Sequence, residues 1–218
     1  NLKDKKIDYH FLQDRAIDAI ARNVIFTSKI FNNEGKTSIN FFISTQKEEG
    51  KSFISSQLAN KLETLGYKVL LLSHNVADKI QTEFESIHYE MNNQFYLISK
   101  ISEISNELND DNVGKYDFIF VELPNIIYSA FPVRLLEKSD HIYLVCRANR
   151  PWTEADQYNL TKFREIIKTS EPGIILNGVE VLEMETFLGD LPRKRSFLRR
   201  VIKNILRLRF FSKNNIAS

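Results

Sequence analysis

Residues 44–52 read STQKEEGKS, and they stand between the apolar run 39–43 and the helical pattern 53–65. A strand, a loop and a helix in this order form the setting of a phosphate-binding loop, whose backbone N–H groups surround phosphate oxygens. In that role Lys51 would reach the terminal phosphate and the Ser52 hydroxyl would bind Mg²⁺. The first glycine of the motif GxxxxGK[ST] is missing, because Thr45 occupies its position. As a bare pattern, the stretch is equally compatible with a polar turn between a strand and a helix.

Apolar runs alternate with helical patterns along most of the chain. Short runs rich in Ile, Val, Leu and Phe predict buried strands, and apolar residues three or four positions apart predict helices. The predicted strands are 39–43, 68–72, 94–99, 116–121, 141–146 and 173–176, and the predicted helices are 8–26, 53–65, 76–92, 101–108 and 154–169. Strands that are apolar throughout are typical of parallel sheets covered on both faces. The alternation therefore predicts a doubly wound α/β fold with a mainly parallel sheet flanked by helices, as in P-loop NTPases.

The composition is that of a folded globular domain. Of the 218 residues, 43% are hydrophobic and 27% are charged, which predicts one domain with a substantial core. The single cysteine, Cys146, falls in a predicted strand, so we expect a core residue and a reducing compartment without disulfides. No apolar run approaches the length of a membrane span. Because the chain begins with Asn1 rather than Met, we expect a piece of a longer protein.

The net charge of +2 hides an asymmetry between the body of the chain and its C-terminal tail. Residues 191–218 contain nine Lys or Arg and no acid, which leaves 21 basic and 28 acidic residues in 1–190. We therefore divide the chain into a domain, 1–192, and a basic tail, 193–218. The tail residues expected to contact an anionic partner are Arg193, Lys194, Arg195, Arg199, Arg200, Lys203 and Arg207.

Apolar residues of the tail recur at helical spacing, and this pattern has two interpretations. A basic amphipathic helix adsorbs to an anionic membrane surface. Alternatively, the apolar stripe packs on the acidic body while the charges remain solvated. Nucleic acid is a less favoured partner, because the basic residues have no stacking aromatic residues in a second element beside them.

Several motifs occur in an order that resembles a known family. They are 21–26 (ARNVIF), 42–45 (FIST), 49–52 (EGKS), 58–59 (LA) with 68–72 (KVLLL), 116–124 (YDFIFVELP), 145–148 (VCRA), 175–179 (ILNGV) and 191–195 (LPRKR). In order and spacing, the chain resembles the cytoplasmic domain of bacterial tyrosine kinases of Wzc-like polysaccharide co-polymerases. That family is related to the Min/Par group of deviant P-loop ATPases, and the similarity covers nearly the whole chain.

The resemblance implies an ATP site with Mg²⁺ at the loop. The deviant loop of the family does not require the first glycine, so Thr45 is compatible with it. By analogy the nucleotide-binding residues are Thr45, Gln46, Lys47, Glu48, Glu49, Gly50, Lys51 and Ser52, with Ser52 on the metal and Asn177 near the adenine.

Three features depart from the family. Its Asp-x-Asp motif after the second strand, whose first Asp is the expected base toward a tyrosine hydroxyl, reads Ser73-His74-Asn75 here. The Asp that closes the third motif strand is replaced by Glu122, and no tyrosine follows Tyr158. A serine hydroxyl is too weakly acidic to act as a base at neutral pH, and fewer carboxylates weaken Mg²⁺ binding. His74 is either a replacement base or a structural residue.

These departures predict a degenerate kinase-like domain in which ATP and Mg²⁺ bind weakly or not at all and no residue is catalytic. We expect an interaction module on the cytoplasmic face of a bacterial inner membrane. Its partners would be further copies of itself or the export machinery for capsular or exopolysaccharide. Two alternatives stay open: an active tyrosine autokinase with an altered base, and a Min/Par-type ATPase that binds membrane or DNA.

Overall fold

The computed structural model describes residues 9–28, 37–74, 84–127, 131–167 and 172–180. Its helices are α1 (Tyr9–Thr27), α2 (Lys51–Thr64), α3 (Asp110–Val113), α4 (Val133–Leu136) and α5 (Glu154–Ile167). Its strands are β1 (Ser38–Ile43), β2 (Val69–Ser73), β3 (Glu85–His88), β4 (Phe118–Glu122), β5 (His141–Arg147) and β6 (Gly173–Asn177). Two short 3₁₀ turns, Phe95–Leu97 and Ile101–Glu103, lie between β3 and α3.

The six strands form one sheet in the order β3-β2-β4-β1-β5-β6, and every pair is parallel. The predicted doubly wound α/β fold is therefore confirmed. Phe42 of β1 pairs with Glu122 of β4, and Leu72 of β2 pairs with Val121 of β4. This register brings the carboxyl ends of β1, β2 and β4 to one edge of the sheet, where ligands bind in open α/β folds.

Apolar side chains cover both faces of the sheet, as the continuous apolar strands predicted. Phe42, Phe120 and Val145 point to the face that packs against Val24 of α1 and Leu58 of α2. The alternate strand positions form a second core with α5, the two 3₁₀ turns and the segment around α4; its members include Phe41, Leu72, Val121, Leu144 and Phe163. Because side chains alternate along a strand, one strand contributes to both cores.

The prediction was wrong between β2 and β4. Residues 85–88, expected in a helix, form the edge strand β3, and the expected strand 94–99 contains only a 3₁₀ turn. The expected helix 101–108 is reduced to Ile101–Glu103. β3 has only Ile87 buried, so its pattern carries no strand signal, whereas Ile101, Ile104 and Leu108 enter the core from turns while keeping helical spacing.

Three of the expectations fall outside the described residues. These are the basic tail 193–218 with all its proposed anion contacts, the residue Asn75, and residues 76–83 of the helix predicted over 76–92. In the part of the chain that the structure describes, no helix is long and apolar enough to cross a membrane.

Candidate nucleotide-phosphate site

The loop between β1 and α2 begins at Ser44, and α2 begins at Lys51. Gly50 has a positive φ of 95°, in the left-handed region that favours glycine. The side chain of Asn177, at the end of β6, donates its amide to the backbone oxygen of Glu49 at 3.0 Å. A Cβ on Gly50 would lie 2.0 Å from the Asn177 Nδ2 atom, so glycine is also required for space. Asn177, expected near an adenine, thus contacts the loop itself.

Lys51 lies at the first turn of α2 and is buried. Its Nζ donates to the Ser44 hydroxyl at 2.6 Å, and that hydroxyl donates to the Gln46 backbone oxygen at 2.6 Å. Burial lowers the pKa of Lys51, and the nearby carboxylates of Glu122 and Glu49 act in the opposite direction. The N-terminal end of a helix favours anions. A cation and a helix terminus therefore face the same loop.

Glu122, at the end of β4, is fully buried and accepts hydrogen bonds from three serine hydroxyls. Ser52 and Ser73 donate to Oε2 at 2.7 and 2.9 Å, and Ser55 donates to Oε1. The sequence had marked Ser73 and Glu122 as degenerate positions and Ser52 as a metal ligand, and the fold brings all three together. Ser55 was missed, although its position three residues after Ser52 on α2 puts both hydroxyls on one helix face.

His74 follows Ser73 at the end of β2. Its Nδ1 lies 3.2 Å from the Glu122 backbone oxygen, which also accepts from the Tyr89 hydroxyl at 2.6 Å. Burial lowers the pKa of His74, with a further contribution from the charge of Lys51, although the contact with the Glu122 carbonyl raises it. A neutral imidazole whose Nδ1–H donates to a carbonyl has an acceptor at Nε2.

An ion-pair cluster contacts the loop at Thr45, Gln46 and Glu49. Arg150, which follows β5, contacts Glu49 at 2.5 Å and Asp156 of α5 at 2.8 Å, and both carboxylates are buried. It also donates to the Thr45 hydroxyl at 3.0 Å, and Gln46 donates to Asp156 at 3.3 Å. Burial alone would raise the pKa of Asp156, but hydrogen bonds from Arg150, Thr45 and Thr153 lower it well below its usual value.

Sequence reasoning missed Arg150 and Asp156 as parts of the site. Arg150 stands just before Pro151, and Asp156 lies in the first turn of α5, where an acidic residue has a ready explanation as a helix-terminal charge. Asp156 therefore resembles an ordinary helix-terminal residue, and Arg150 resembles an ordinary loop residue. Cys146, in the adjacent strand, is buried, and burial raises its pKa to about 11. The expectation that it is a core residue is confirmed.

A cleft of about 380 Å³ opens over the second half of the loop. It is lined by Lys47, Glu48, Glu49, Gly50, Lys51, Ser52, Phe53, His74 and Asn125. In the described residues no group of three His, Cys, Asp or Glu could hold a metal by itself. The arrangement can bind an anion through Lys51 and the N-terminus of α2, with Ser52 and Glu122 available to a cation that the anion brings with it.

No protein-family model matches the sequence, and a search of the curated proteins finds no match. Solved structures do match. The kinase domain of the Escherichia coli tyrosine kinase ETK is 18% identical, covers 67% of this chain and 69% of its own, and has a TM-score of 0.52. The VpsO kinase domain is 19% identical, covers 79% of this chain and 100% of its own, and has a TM-score of 0.52.

A third solved structure, the BceF tyrosine kinase domain, is 16% identical, covers 75% of this chain and 76% of its own, and also has a TM-score of 0.52. At these identities the matches establish the fold. That fold is the one that the family resemblance implied. The chain has the fold of bacterial tyrosine-kinase domains.

Proposed function

We propose that this chain is a kinase-like regulatory domain that binds a nucleotide through loop 44–52 and does not phosphorylate tyrosine. One observation carries the proposal: both carboxylate oxygens of Glu122 accept hydroxyl groups, from Ser52 and Ser73 on one oxygen and from Ser55 on the other. The site thereby keeps an acid beside the phosphate loop but has a hydroxyl group where the family has its base.

The binding half of this proposal rests on the loop. Lys51 and the first turn of α2 face the cleft, and Ser52 lies within hydrogen-bonding distance of the Glu122 carboxylate. Bound Mg²⁺ would neutralise phosphate charge, and Ser52 and Glu122 are the residues that would hold it. Glu122 is one methylene longer than the aspartate of the family, but its carboxylate still contacts Ser52. These contacts favour retained nucleotide binding over the weak binding that the substitutions suggested.

The catalytic half rests on Ser73. Its hydroxyl donates to Glu122 at 2.9 Å, so it is engaged as a donor and offers no carboxylate to a tyrosine hydroxyl. Loss of a general base costs about 10²–10⁴-fold in rate. Residues 159–218 contain no tyrosine, so this stretch offers no acceptor of the kind that the family resemblance implies. A retained fold with a lost base fits a scaffold whose state is set by nucleotide binding.

Calorimetric titration of the 218-residue chain with ATP and Mg²⁺ tests the binding half. We expect binding that falls by at least about 10-fold in Lys51→Ala, because a hydrogen bond to a charged group is lost. Lys68→Ala, which removes an exposed lysine at the opposite end of the sheet, is the matched control and should bind as the wild type does. Equal binding by wild type and Lys51→Ala would contradict a working phosphate loop.

Mass spectrometry after incubation with ATP and Mg²⁺ tests the catalytic half. We expect no phosphotyrosine on the chain or on an added tyrosine-rich peptide. Phosphotyrosine that appears in the wild type and disappears in Lys51→Ala would overturn this half while leaving the binding half intact.

One observation favours a second candidate, an active kinase with His74 as the base. The His74 Nδ1 atom lies 3.2 Å from the Glu122 carbonyl, and the ring lines the cleft with a lowered pKa caused first by burial. If phosphotyrosine forms, His74→Ala should abolish it, whereas His88→Ala, at the exposed end of β3, should not. Activity that survives in His74→Ala would eliminate this candidate.

For the cellular setting, the motif resemblance and the shared fold support the following proposal. The domain acts on the cytoplasmic side of a capsular or exopolysaccharide export assembly, with further copies of itself or with that machinery, and its basic tail adsorbs to the membrane. Cosedimentation with anionic liposomes should fall as salt rises, because exposed charges are screened, and should disappear when 193–218 are deleted. Salt-independent association, or none, would support a tail packed on the acidic body.

A further inference from the structure

Asn125 is a cleft residue that the proposed function has not used. It follows β4 by three positions and is 6% exposed, and its Nδ2 atom has no hydrogen-bond partner in the described part of the chain. It lines the same cleft as Lys51 and Ser52. A buried amide donor without an acceptor is unfavourable for folding, so its presence calls for a physical reason.

The surrounding backbone holds Asn125 in a defined position beside the loop. The Leu123 N–H donates to the Phe42 carbonyl at 2.9 Å, and the Ile126 N–H donates to the Ser44 carbonyl at 2.9 Å. These two bonds tie the segment on either side of Asn125 to the end of β1 and the start of the phosphate loop. The backbone that carries the Asn125 amide is therefore tied to the phosphate loop before any ligand arrives.

Two other amide side chains in the described residues have a buried atom without a hydrogen-bond partner, Asn40 and Asn60. In both the atom is the oxygen, which only accepts, and neither residue lines the cleft. The Asn125 atom is an amide nitrogen, which can only donate. A donor beside a lysine ammonium and a helix N-terminus suits an oxyanion ligand.

We propose that Asn125 donates its side-chain amide to a phosphoryl group bound above Lys51. This inference rests on the proposed function and adds a residue that recognises the outermost phosphate. A phosphoryl group of this kind comes either from the end of a nucleoside triphosphate or from free inorganic phosphate. Both present a tetrahedral group of oxygen atoms, and these oxygens accept hydrogen bonds from an amide N–H.

The test uses Asn125→Leu in the 218-residue chain, with Mg-ATP, Mg-ADP and inorganic phosphate as the probes. Leucine has nearly the shape of asparagine without its donor. We expect binding of the probe that Asn125 contacts to weaken by about 10-fold or more. Without a ligand, the melting temperature should stay unchanged or rise, since an unpaired buried amide has been removed.

The three probes distinguish the two sources of the phosphoryl group. Weaker Mg-ATP binding with unchanged Mg-ADP binding assigns the contact to the terminal phosphate of a nucleotide. Weaker binding of inorganic phosphate alone assigns it to the free ion. Asn125→Ala, a smaller side chain with the same loss of donor, repeats each measurement if the leucine variant does not fold.

Asn60→Leu is the matched control, because it also removes an amide with an unpaired buried atom, but near the far end of α2. It should bind all three probes as the wild type does. Unchanged binding of every probe by both Asn125 variants, with binding by the wild type, overturns this inference alone. A wild-type chain that binds none of the probes overturns the inference together with the proposed function.

Discussion

The two sides of the phosphate loop differ in their contacts: ion pairs hold one side, and hydrogen bonds from hydroxyl groups hold the other. On the ion-pair side, Arg150 forms ion pairs with Glu49 and Asp156. Arg150 also donates a hydrogen bond to the Thr45 hydroxyl, and Asp156 accepts one from Gln46. On the cleft side, hydroxyl groups of Ser44 and Ser52 contact Lys51 and Glu122, whereas the Asn125 amide nitrogen has no hydrogen-bond partner among the described residues.

This difference separates the residues that shape the loop from those that bind. Buried charges are stable only when they are paired, so the ion-pair side has one favourable arrangement and keeps the loop in it. Hydroxyl groups can exchange one acceptor for another at small cost, and an unpaired amide gains a bond when a ligand arrives. The loop is therefore rigid on one side and able to accept an anion on the other.

The largest expected effect comes from breaking the ion-pair side. Arg150→Ala would leave the buried carboxylates of Glu49 and Asp156 without their cation, and losing one partner of a buried pair costs about 3–5 kcal/mol. Urea denaturation should show a lower free energy of unfolding by that amount. Arg134→Ala, which removes an exposed arginine from α4, should stay within about 0.5 kcal/mol of the wild type. Similar values for both variants would refute the structural role of the cluster.

The next effect concerns Gly50, where the two sides of the loop meet. Gly50→Ala should destabilise the chain by more than about 1–2 kcal/mol, because the left-handed backbone is unfavourable for alanine and its Cβ would overlap the Asn177 amide. Gly66→Ala is the matched control, since Gly66 has φ +92° and an added Cβ would have no atom within 4 Å. Adding Asn177→Ala should restore part of the loss at Gly50 and nothing at Gly66. Equal losses at the two glycines would exclude the clash.

A smaller effect should separate metal binding from stability on the cleft side. Ser73→Asp would place a second carboxylate beside Glu122, and like charges raise the pKa of the introduced group. If the pKa of the introduced aspartate rises by one unit, the chain loses about 1.4 kcal/mol of stability at neutral pH. Thermal unfolding in EDTA should show the loss, and Mg²⁺ should reverse it. Ser86→Asp, on the exposed face of β3, should respond to neither; a Mg²⁺ effect there would mean that the response is not local.

The smallest effect is a difference in pH dependence on the ion-pair side. The pKa of Asp156 is lowered in the folded state, so its contribution to stability is present above the unfolded value of about 3.9 and is lost as pH falls through the folded value. Wild-type stability measured in urea should therefore fall between about pH 4 and pH 3, by at most about 1.4 kcal/mol for this proton. Asp156→Asn should flatten the slope and the exposed Asp111→Asn should not. Parallel slopes would show that other groups dominate.

Local pattern was sufficient for most of the fold. β1, α2, β4, β5 and α5 lie within a few residues of their predicted bounds, because apolar runs and helical spacing report burial directly. The local pattern gave the wrong secondary structure at β3, an edge strand with one buried residue, and at the turns that carry Ile101 and Leu108. There the tertiary contacts with β2 and the core, rather than any periodic pattern, decide the conformation.

The sequence by itself determined that a strand, a loop ending in Gly50-Lys51-Ser52 and a helix would place a cation and a hydroxyl at one edge of a parallel sheet. Only the tertiary structure decided which groups surround them. Arg150 reaches Glu49 from the end of another strand, and Asn125 reaches the cleft from β4. Polar contacts between residues so distant in the chain leave no period in the sequence, whereas burial of apolar side chains does, and the sheet register alone brings such residues together.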